Sequence, residues 1–477
     1  MSIRFVKFVS ICICGVLLNL QAAACTLVLV SGKATADGRP LLLKNRDSSD
    51  APLVEMRVEK DEGFAYLAQF AVADSIFRGP WCGYNEKGFA IGNSLSFNLK
   101  EDQGMGGNGE ILRKGLALCE TVDDFEQVLK GMEKPMDVMA NFAVFDAYGA
   151  AAIFEVGKSG YVKYDANDLT VTRRGVLIRS NYSISGNKSN KIGEDRYVIA
   201  SRYLQARPVG SIVWQDLLLD LSRLLVNSEG IDLRDASPAS YAEETRTDFD
   251  GFIPRDISTN AMVIQGVKSG ESPLLTSCWT MVGPPMMTVA LPVFLSEELP
   301  AKTVSDGEGA WLCQIGRNLK DVVFAYPDAP RVIDLSKLYN GEETGVMQKI
   351  IRMEEIVIAR GELLMQEFRD SGVLSPSSLH SYYEWLDLYL DDAYSIAFGR
   401  DEGDESIDDI STVMKGDLNL DNQVDITDVT ILVDFVLKGV GVDSGITVGV
   451  PMEADINNDG TVSIADVTTV VEMILGN

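Results

Sequence analysis

Two sets of residues in this 477-residue sequence could do chemistry. One is Cys25, which follows Ala22-Ala23-Ala24 at the end of an apolar run; the other is a pair of Asp- and Asn-rich loops near the carboxyl terminus. Histidine, the commonest general base and metal ligand, is scarce. The only one is His380, so Ser-His, Cys-His and two-His metal chemistries are excluded unless His380 carries them alone. Its neighbours, Ser377, Ser378, Tyr382 and the Pro376 break, read as a surface or cap position. An enzyme built from this chain needs another base.

Arg4 and Lys7 precede an apolar run from Phe8 to Leu20, and residues 22–24 are the small residues a signal peptidase cuts after. The run is too short to span a bilayer, and no later segment reaches the roughly 18 apolar residues a transmembrane helix needs. The sequence therefore implies an export signal over 1–24 and a periplasmic, cell-surface or extracellular protein with no transmembrane segment. Cleavage before Cys25 would put a thiol and a free α-amine on one residue. An α-amine, with a reference pKa of about 7.7–8.0, is neutral often enough near pH 7 to take the thiol proton, directly or through a water. The competing reading is a lipoprotein, in which diacylglycerol on the thiol and an acyl group on the amine would occupy both groups. Against it, Ala22 stands where Leu is usual three residues before a lipidated cysteine.

The elements that must position Cys25 begin with Cys25 itself. Cys25 to Val30 has the apolar pattern of a strand, Asp37-Gly38 is a hairpin turn signal, and Pro40 to Leu43 starts a return strand ending in Lys44-Asn45-Arg46-Asp47. A hairpin brings its two ends together, so Asp47 is expected near the α-amine, where a carboxylate can orient it. Farther on, 111–132 and 211–225 have helical spacing, 259–295 holds two apolar runs, and 342–398 is again helical. This mixture fits two stacked sheets covered by helices. Gly104-Met105-Gly106-Gly107-Asn108-Gly109 satisfies a dinucleotide fingerprint by letter but follows charged residues rather than a strand, so it reads as a loop.

Cys25-Thr26, Ala34 to Gly38 and Asn45-Arg46-Asp47 resemble the N-terminal-nucleophile (Ntn) cysteine hydrolases, which include choloylglycine hydrolases, penicillin V acylases, acyl-CoA:6-aminopenicillanic acid acyltransferases and dipeptidases. Asn85-Glu86-Lys87-Gly88 leading to Asn93, the stretch from Asn141 to Glu155, Arg179-Ser180-Asn181-Tyr182 and Asp195-Arg196-Tyr197 follow in that family's order. The resemblance, over about 25–300, implies an αββα sandwich and an amidohydrolase acting on a small acyl-amide or short peptide without a catalytic cofactor. It implies Cys25 as nucleophile and base, Asp47 as the residue that orients the amine, Asn93 and Asn181 as oxyanion donors, and Arg196 as stabiliser of the thiolate. Lys44 stands where many relatives carry Arg, and the short interval from Asn181 to Arg196 argues against bile-salt specificity. The alternatives are a lipid-anchored binding protein on an inactive scaffold of this kind, or an acyltransferase or dipeptidase of the same fold.

The formal net charge of −28, about −30 once Arg4 and Lys7 leave with the signal, argues against nucleic acid or an anionic membrane as partner. Cys25, Cys82, Cys119, Cys278 and Cys313 remain after the signal, an odd number, so in an oxidising compartment at least one thiol stays unpaired.

After a charged linker over 400–412, Asp417-Leu418-Asn419-Leu420-Asp421-Asn422-Gln423-Val424-Asp425-Ile426-Thr427-Asp428 returns 38 positions later as the loop from Asp455 to Asp466. Asp417, Asn419, Asp421, Asp425 and Asp428, and in the second loop Asp455, Asn457, Asp459, Ser463 and Asp466, put oxygens at calcium-loop positions 1, 3, 5, 9 and 12. Gln423 and Thr461 fall at position 7, which contributes a backbone carbonyl. One apolar helix follows each loop. Residues 413–477 resemble a type I dockerin, an all-α calcium-binding module, which implies two structural Ca²⁺ ions and a cohesin-like partner. Ile426-Thr427 and Ile464-Ala465 stand where that family often reads its partner with a hydroxyl pair.

Overall fold

The computed structural model describes residues 23–49, 51–60, 63–72, 79–99, 107–305, 307–399, 416, 424–437, 456–457 and 463–475. The expected signal as far as residue 22 and the expected linker over 400–412 lie outside these residues. The hairpin after Cys25 forms as β1 (Ala23–Val30) and β2 (Leu41–Ser48), antiparallel from Ala23↔Ser48 to Val30↔Leu41. Gly38 turns the chain at φ 81°, a conformation that costs little only without a Cβ. The Asp37 carboxylate accepts the Arg39 N–H beside it.

The chain next builds β3 (Val54–Glu59), β4 (Tyr66–Ala71), β5 (Pro80–Asn85) and β6 (Ala90–Leu95). After α1 (Asn108–Leu118) and α2 (Val122–Gly131) come β7 (Ala140–Phe145), β8 (Ala151–Gly157) and β9 (Gly160–Asp165). The seven strands form one antiparallel meander in sequence order. The helical pattern expected over 111–132 splits in two because Thr121 caps α2: its hydroxyl accepts the Asp124 N–H while the Asp124 carboxylate accepts the Thr121 N–H. Both helices cover the outer face of this sheet, with Ile111, Leu112, Phe125 and Leu129 packed on Phe142 and Phe154. Asn108 and Gly109 of the glycine-rich stretch belong to α1 rather than to a loop.

β10 (Val176–Arg179), α3 (Glu194–Gln205), β11 (Arg246–Asp248), β12 (Ser258–Gln265), β13 (Ser277–Met281) and β14 (Leu291–Phe294) follow. The second sheet has the order β10-β1-β2-β12-β13-β14, which makes the first hairpin interior. Its outer face carries α3 and a wound segment, Asp216–Arg223, in place of the regular helix expected over 211–225. Leu27, Leu29, Leu42, Met262 and Ile264 from this sheet meet Leu67, Tyr84 and Ala90 from the other in the core between the sheets. The architecture is α+β, with helices on the outer faces of two sheets.

α4 (Trp311–Val323) comes next, then β15 (Val332–Asp334), which pairs with β11, and α5 (Leu335–Leu338). The helical extension is α6 (Val346–Ser371) and α7 (Pro376–Phe398), broken where Gly372 adopts φ 72° and Ser375-Pro376 starts the next helix. In the carboxyl-terminal module, α8 (Ile426–Leu437) and α9 (Ile464–Leu475) share a small core of Val429, Leu432, Ile456, Val467 and Val470.

Candidate active site

Cys25 is the third residue of β1, buried, and directly opposite Arg46 of β2. Alternation with Leu27 and Leu29 turns its side chain toward the space between the sheets. Its backbone nitrogen donates to Asn181 Oδ1 at 2.9 Å, and Arg196 Nη2 donates to the same oxygen at 2.6 Å. Arg196 Nη1 also donates to the carbonyl of Cys25. The buried guanidinium is pushed down by desolvation, with Asp47 and Cys25 acting the other way. Gly193, at φ 79°, caps α3 where any Cβ would collide with Arg196.

Asp47 pairs with Ala24, one residue before Cys25. Its Oδ1 accepts from Ser258 Oγ at 2.6 Å and from Asn45 Nδ2 at 3.2 Å. Its Oδ2 is buried and accepts no hydrogen bond among the described residues; Arg255 lies 3.8 Å away. Burial raises the Asp47 carboxyl above its usual range, while Arg196, Arg255 and the Ser258 hydrogen bond pull it down.

Asn93 lies within β6, opposite Phe142 of β7, and its backbone O and Oδ1 accept from Lys44 Nζ at 2.7 and 2.6 Å. Its Nδ2 donates no hydrogen bond among the described residues. Lys44 is fully buried and has no carboxylate partner among them; desolvation pushes its ammonium down, against attraction from Cys25 and Cys82. Lys44 and Arg46 both lie over the Trp81 ring, at 5.5 and 4.6 Å from its centroid.

The structure thus joins Asn181 and Arg196 to Cys25, sets Asp47 opposite Ala24 and ties Asn93 to Lys44 of the same hairpin, with two differences from what the resemblance implies. Asn181 was expected to donate to an oxyanion, but its Nδ2 donates to Leu95 O at 3.2 Å and its Oδ1 faces the Cys25 nitrogen. Arg196 was expected beside a thiolate, but it binds the Cys25 carbonyl and Asn181. In both cases the contact made with residue 25 is to its backbone.

A second ring holds the segment that carries Asn181. Asn141 Nδ2 donates to Ser94 Oγ at 3.0 Å and, at 3.4 Å each, to the carbonyls of Ser180 and Tyr182 on either side of Asn181. The buried Glu155 carboxylate accepts from Arg179 Nε, Ile184 N and Ser185 N at 2.6–2.8 Å. Sequence reasoning gave no role to Glu155, Arg255 or Ser258. Ser258-Thr259-Asn260, a polar triplet at the head of an apolar strand, mirrors Asn45-Arg46-Asp47 at the end of β2, and that mirror is the signal that could have found Ser258.

The five cysteines among the described residues, Cys25, Cys82, Cys119, Cys278 and Cys313, are all free and buried. Burial pushes the Cys82 and Cys119 thiols up to about 12, so both stay protonated near neutral pH. His380 is exposed on α7 between Glu298 and Glu384, at 3.0 and 3.4 Å, and touches none of the residues around Cys25.

Of the expected calcium ligands, Asp417, Asn419, Asp421, Gln423, Asp455, Asp459 and Thr461 lie outside the described residues. Asp428 and Asp466 are both fully buried, and they accept the Asp425 and Ser463 N–H groups at 2.8 Å, the same bond in both loops. Asp466 also accepts the Asn457 N–H at 3.1 Å. Two buried carboxylates at the closing position, beside oxygen-bearing residues, fit a hard cation. Among the described residues no group of three or more His, Cys, Asp or Glu is placed to hold a metal ion, and no helix is long and apolar enough to cross a membrane.

Residues 34–195 match the family model of the acyl-coenzyme A:6-aminopenicillanic acid acyl-transferases, and residues 415–475 that of the type I dockerin domain. The first match contains Asp47, Asn93 and Asn181, begins after Cys25 and ends one residue before Arg196. No curated protein matches the sequence. Among solved structures, the Caenorhabditis elegans N-acylethanolamine-hydrolyzing acid amidase ortholog is 11% identical, with 52% of this chain and 92% of that one covered at a TM-score of 0.35. Penicillin V acylase from Agrobacterium tumefaciens is 14% identical, with 57% and 88% covered at 0.33. A variant of conjugated bile acid hydrolase from Clostridium perfringens is 12% identical, with 57% and 93% covered at 0.35. Overlap this loose assigns nothing to the present chain. Two segments of one polypeptide thus match family models, residues 34–195 that of the acyl-coenzyme A:6-aminopenicillanic acid acyl-transferases and residues 415–475 that of the type I dockerin domain.

Proposed function

We propose that the protein is an exported cysteine amidohydrolase whose α-amine, freed by cleavage before Cys25, is its general base. The observation that carries this reading is Asp47 Oδ2, a buried acceptor without a hydrogen bond among the described residues, on the residue paired with Ala24. A buried acceptor left unsatisfied costs about 1–3 kcal/mol. An ammonium at position 25 would supply the missing donor.

The amine takes the thiol proton and Sγ attacks the amide carbonyl. Asn93, its acceptors committed to Lys44, presents Nδ2 to the developing oxyanion; one such donor contributes about 3 kcal/mol. Asn181 and Arg196 fix the nitrogen and carbonyl of Cys25. The C–N bond breaks as the ammonium returns its proton to the leaving amine, which leaves a thioester on Cys25. The amine then deprotonates a water that attacks the thioester, releasing a carboxylic acid and the free thiol. An acceptor amine in place of water would give acyl transfer by the same residues.

In this reading 1–24 is the signal, 25–399 the catalytic unit with its helical extension, 400–412 a linker and 413–477 the dockerin. That module would hold two Ca²⁺ ions through the two loops and dock a cohesin-like partner outside the cytoplasm. The test is a screen of N-acyl amino acids, penicillins, conjugated bile acids and dipeptides with the wild-type, Cys25→Ser and Cys25→Ala chains. The wild type should release amine from at least one class and carry a transient acyl mass on the Cys25 peptide, and both variants should do neither. Turnover by Cys25→Ala would remove Cys25 from the mechanism.

A further inference from the structure

Asp47 can orient an amine only if its own two oxygens are told apart. Ser258, at the head of β12, is buried and lies opposite Asp47 in the β2–β12 register. Its Oγ accepts the Arg255 N–H at 2.9 Å and donates to Asp47 Oδ1 at 2.6 Å. Because Arg255 N–H already occupies the hydroxyl's acceptor side, the Ser258 proton is aimed at the carboxylate. With Asn45 Nδ2 on the same oxygen, Oδ1 is filled and Oδ2 is left for another donor.

We infer that Ser258 is a positioning residue for the reaction, acting through Asp47 by holding Oδ1 so that Oδ2 faces the Cys25 amine. The inference rests on the amine-base reading above. Neutral structural serines satisfy backbone groups; this one joins a backbone N–H to a buried charge, and a charge-assisted bond of this kind is both short and directional. The charged groups around the carboxylate are Arg196 of α3, Arg255 and Asp256 ahead of β12, and Lys44 on its own strand, with Cys25 across the hairpin. Among them, Ser258 is the side chain from β12 that bonds Asp47 directly. Losing its bond removes one influence that keeps the carboxyl ionised, so protonation would move to higher pH.

The test is a pH profile of kcat and KM for the mature wild type, Ser258→Ala and Ser258→Thr, with melting temperatures for each. Ser258→Ala should lower kcat roughly ten- to a hundredfold, the range for a hydrogen bond to a charged group, with KM nearly unchanged. Its acid limb should move to higher pH, and Ser258→Thr should restore both. An unmoved acid limb in a folded Ser258→Ala chain would overturn the inference, as would a folded Ser258→Thr chain with the alanine profile. If neither variant folds, Arg255→Gln should still move the acid limb to higher pH, and an unmoved limb there would also overturn it. The two readings fail separately. Activity in a chain with a blocked α-amine would sink the amine base itself, whereas an amine requirement with a wild-type acid limb in Ser258→Ala would sink only the role of Ser258.

Discussion

Lys44 holds Asn93 by two hydrogen bonds from one ammonium, 2.7 Å to the backbone O and 2.6 Å to Oδ1. One cation therefore holds both the backbone and the rotation of the side-chain amide at Asn93, and Nδ2 is left as the open donor. A lysine serves here without the planar fork of an arginine because both acceptors belong to one residue.

Lys44→Met should leave Asn93 free to rotate and lower kcat on the order of a hundredfold, the scale of a lost oxyanion donor. Asn93→Ala should have a similar effect, and the double variant should be little worse than either single one. Steady-state kinetics on the three chains checks this. Multiplicative losses would mean that the two residues act independently.

Glu155 and Arg179 form a buried pair at 2.6 Å that anchors the segment after Asn181. Glu155→Ala leaves the guanidinium and two backbone N–H groups without their acceptor, and breaking a buried pair in this way costs about 3–5 kcal/mol. The midpoint of urea unfolding should fall accordingly. An unchanged midpoint would show that the anchor is dispensable.

The hydrogen bond to Glu298, with the charges of Glu298 and Glu384, raises the His380 pKa above its usual value. A pKa raised in the folded state adds stability that is fully present below the unfolded value and is lost as pH rises through the folded one. His380→Gln should therefore lower the melting temperature more at pH 5.5 than at pH 8.5, by a small amount because the site is exposed, and leave kcat unchanged. Lost activity in a folded His380→Gln chain would return histidine to the list of candidate bases.

The hairpin from Cys25 to Asp47 was legible because strand, turn and return strand are contiguous, and local pattern suffices to join their ends. Asn93, Asn181 and Arg196 come from three separate elements, and only the order of family motifs pointed to them. Their contacts were not legible. Whether Asn181 presents its oxygen or its nitrogen to Cys25 depends on Leu95 and Arg196, which no spacing encodes. Ser258 was missed for a similar reason: it meets Asp47 only because β12 lies beside β2, a pairing between residues 211 positions apart. Helix boundaries failed where a side-chain cap at Thr121 or a turn at Gly372 overrode the apolar period.

In the carboxyl-terminal module, the equivalent bonds of Asp428 and Asp466 tie each closing carboxylate to its own loop. EDTA should abolish the helical circular dichroism of an isolated 413–477 fragment, and added Ca²⁺ should restore it, because the core is too small to fold without metal. A signal indifferent to EDTA would remove calcium from the account.

The α-amine of Cys25 is the central claim, and it is tested most directly by comparing turnover in two purified proteins, one beginning at Cys25 and one retaining Ala24 ahead of it. The first should hydrolyse its amide substrate. The second should be folded and keep the thiol, yet be inactive, because its residue 25 nitrogen is a peptide N–H that can take no proton. Equal turnover by both proteins would contradict the account.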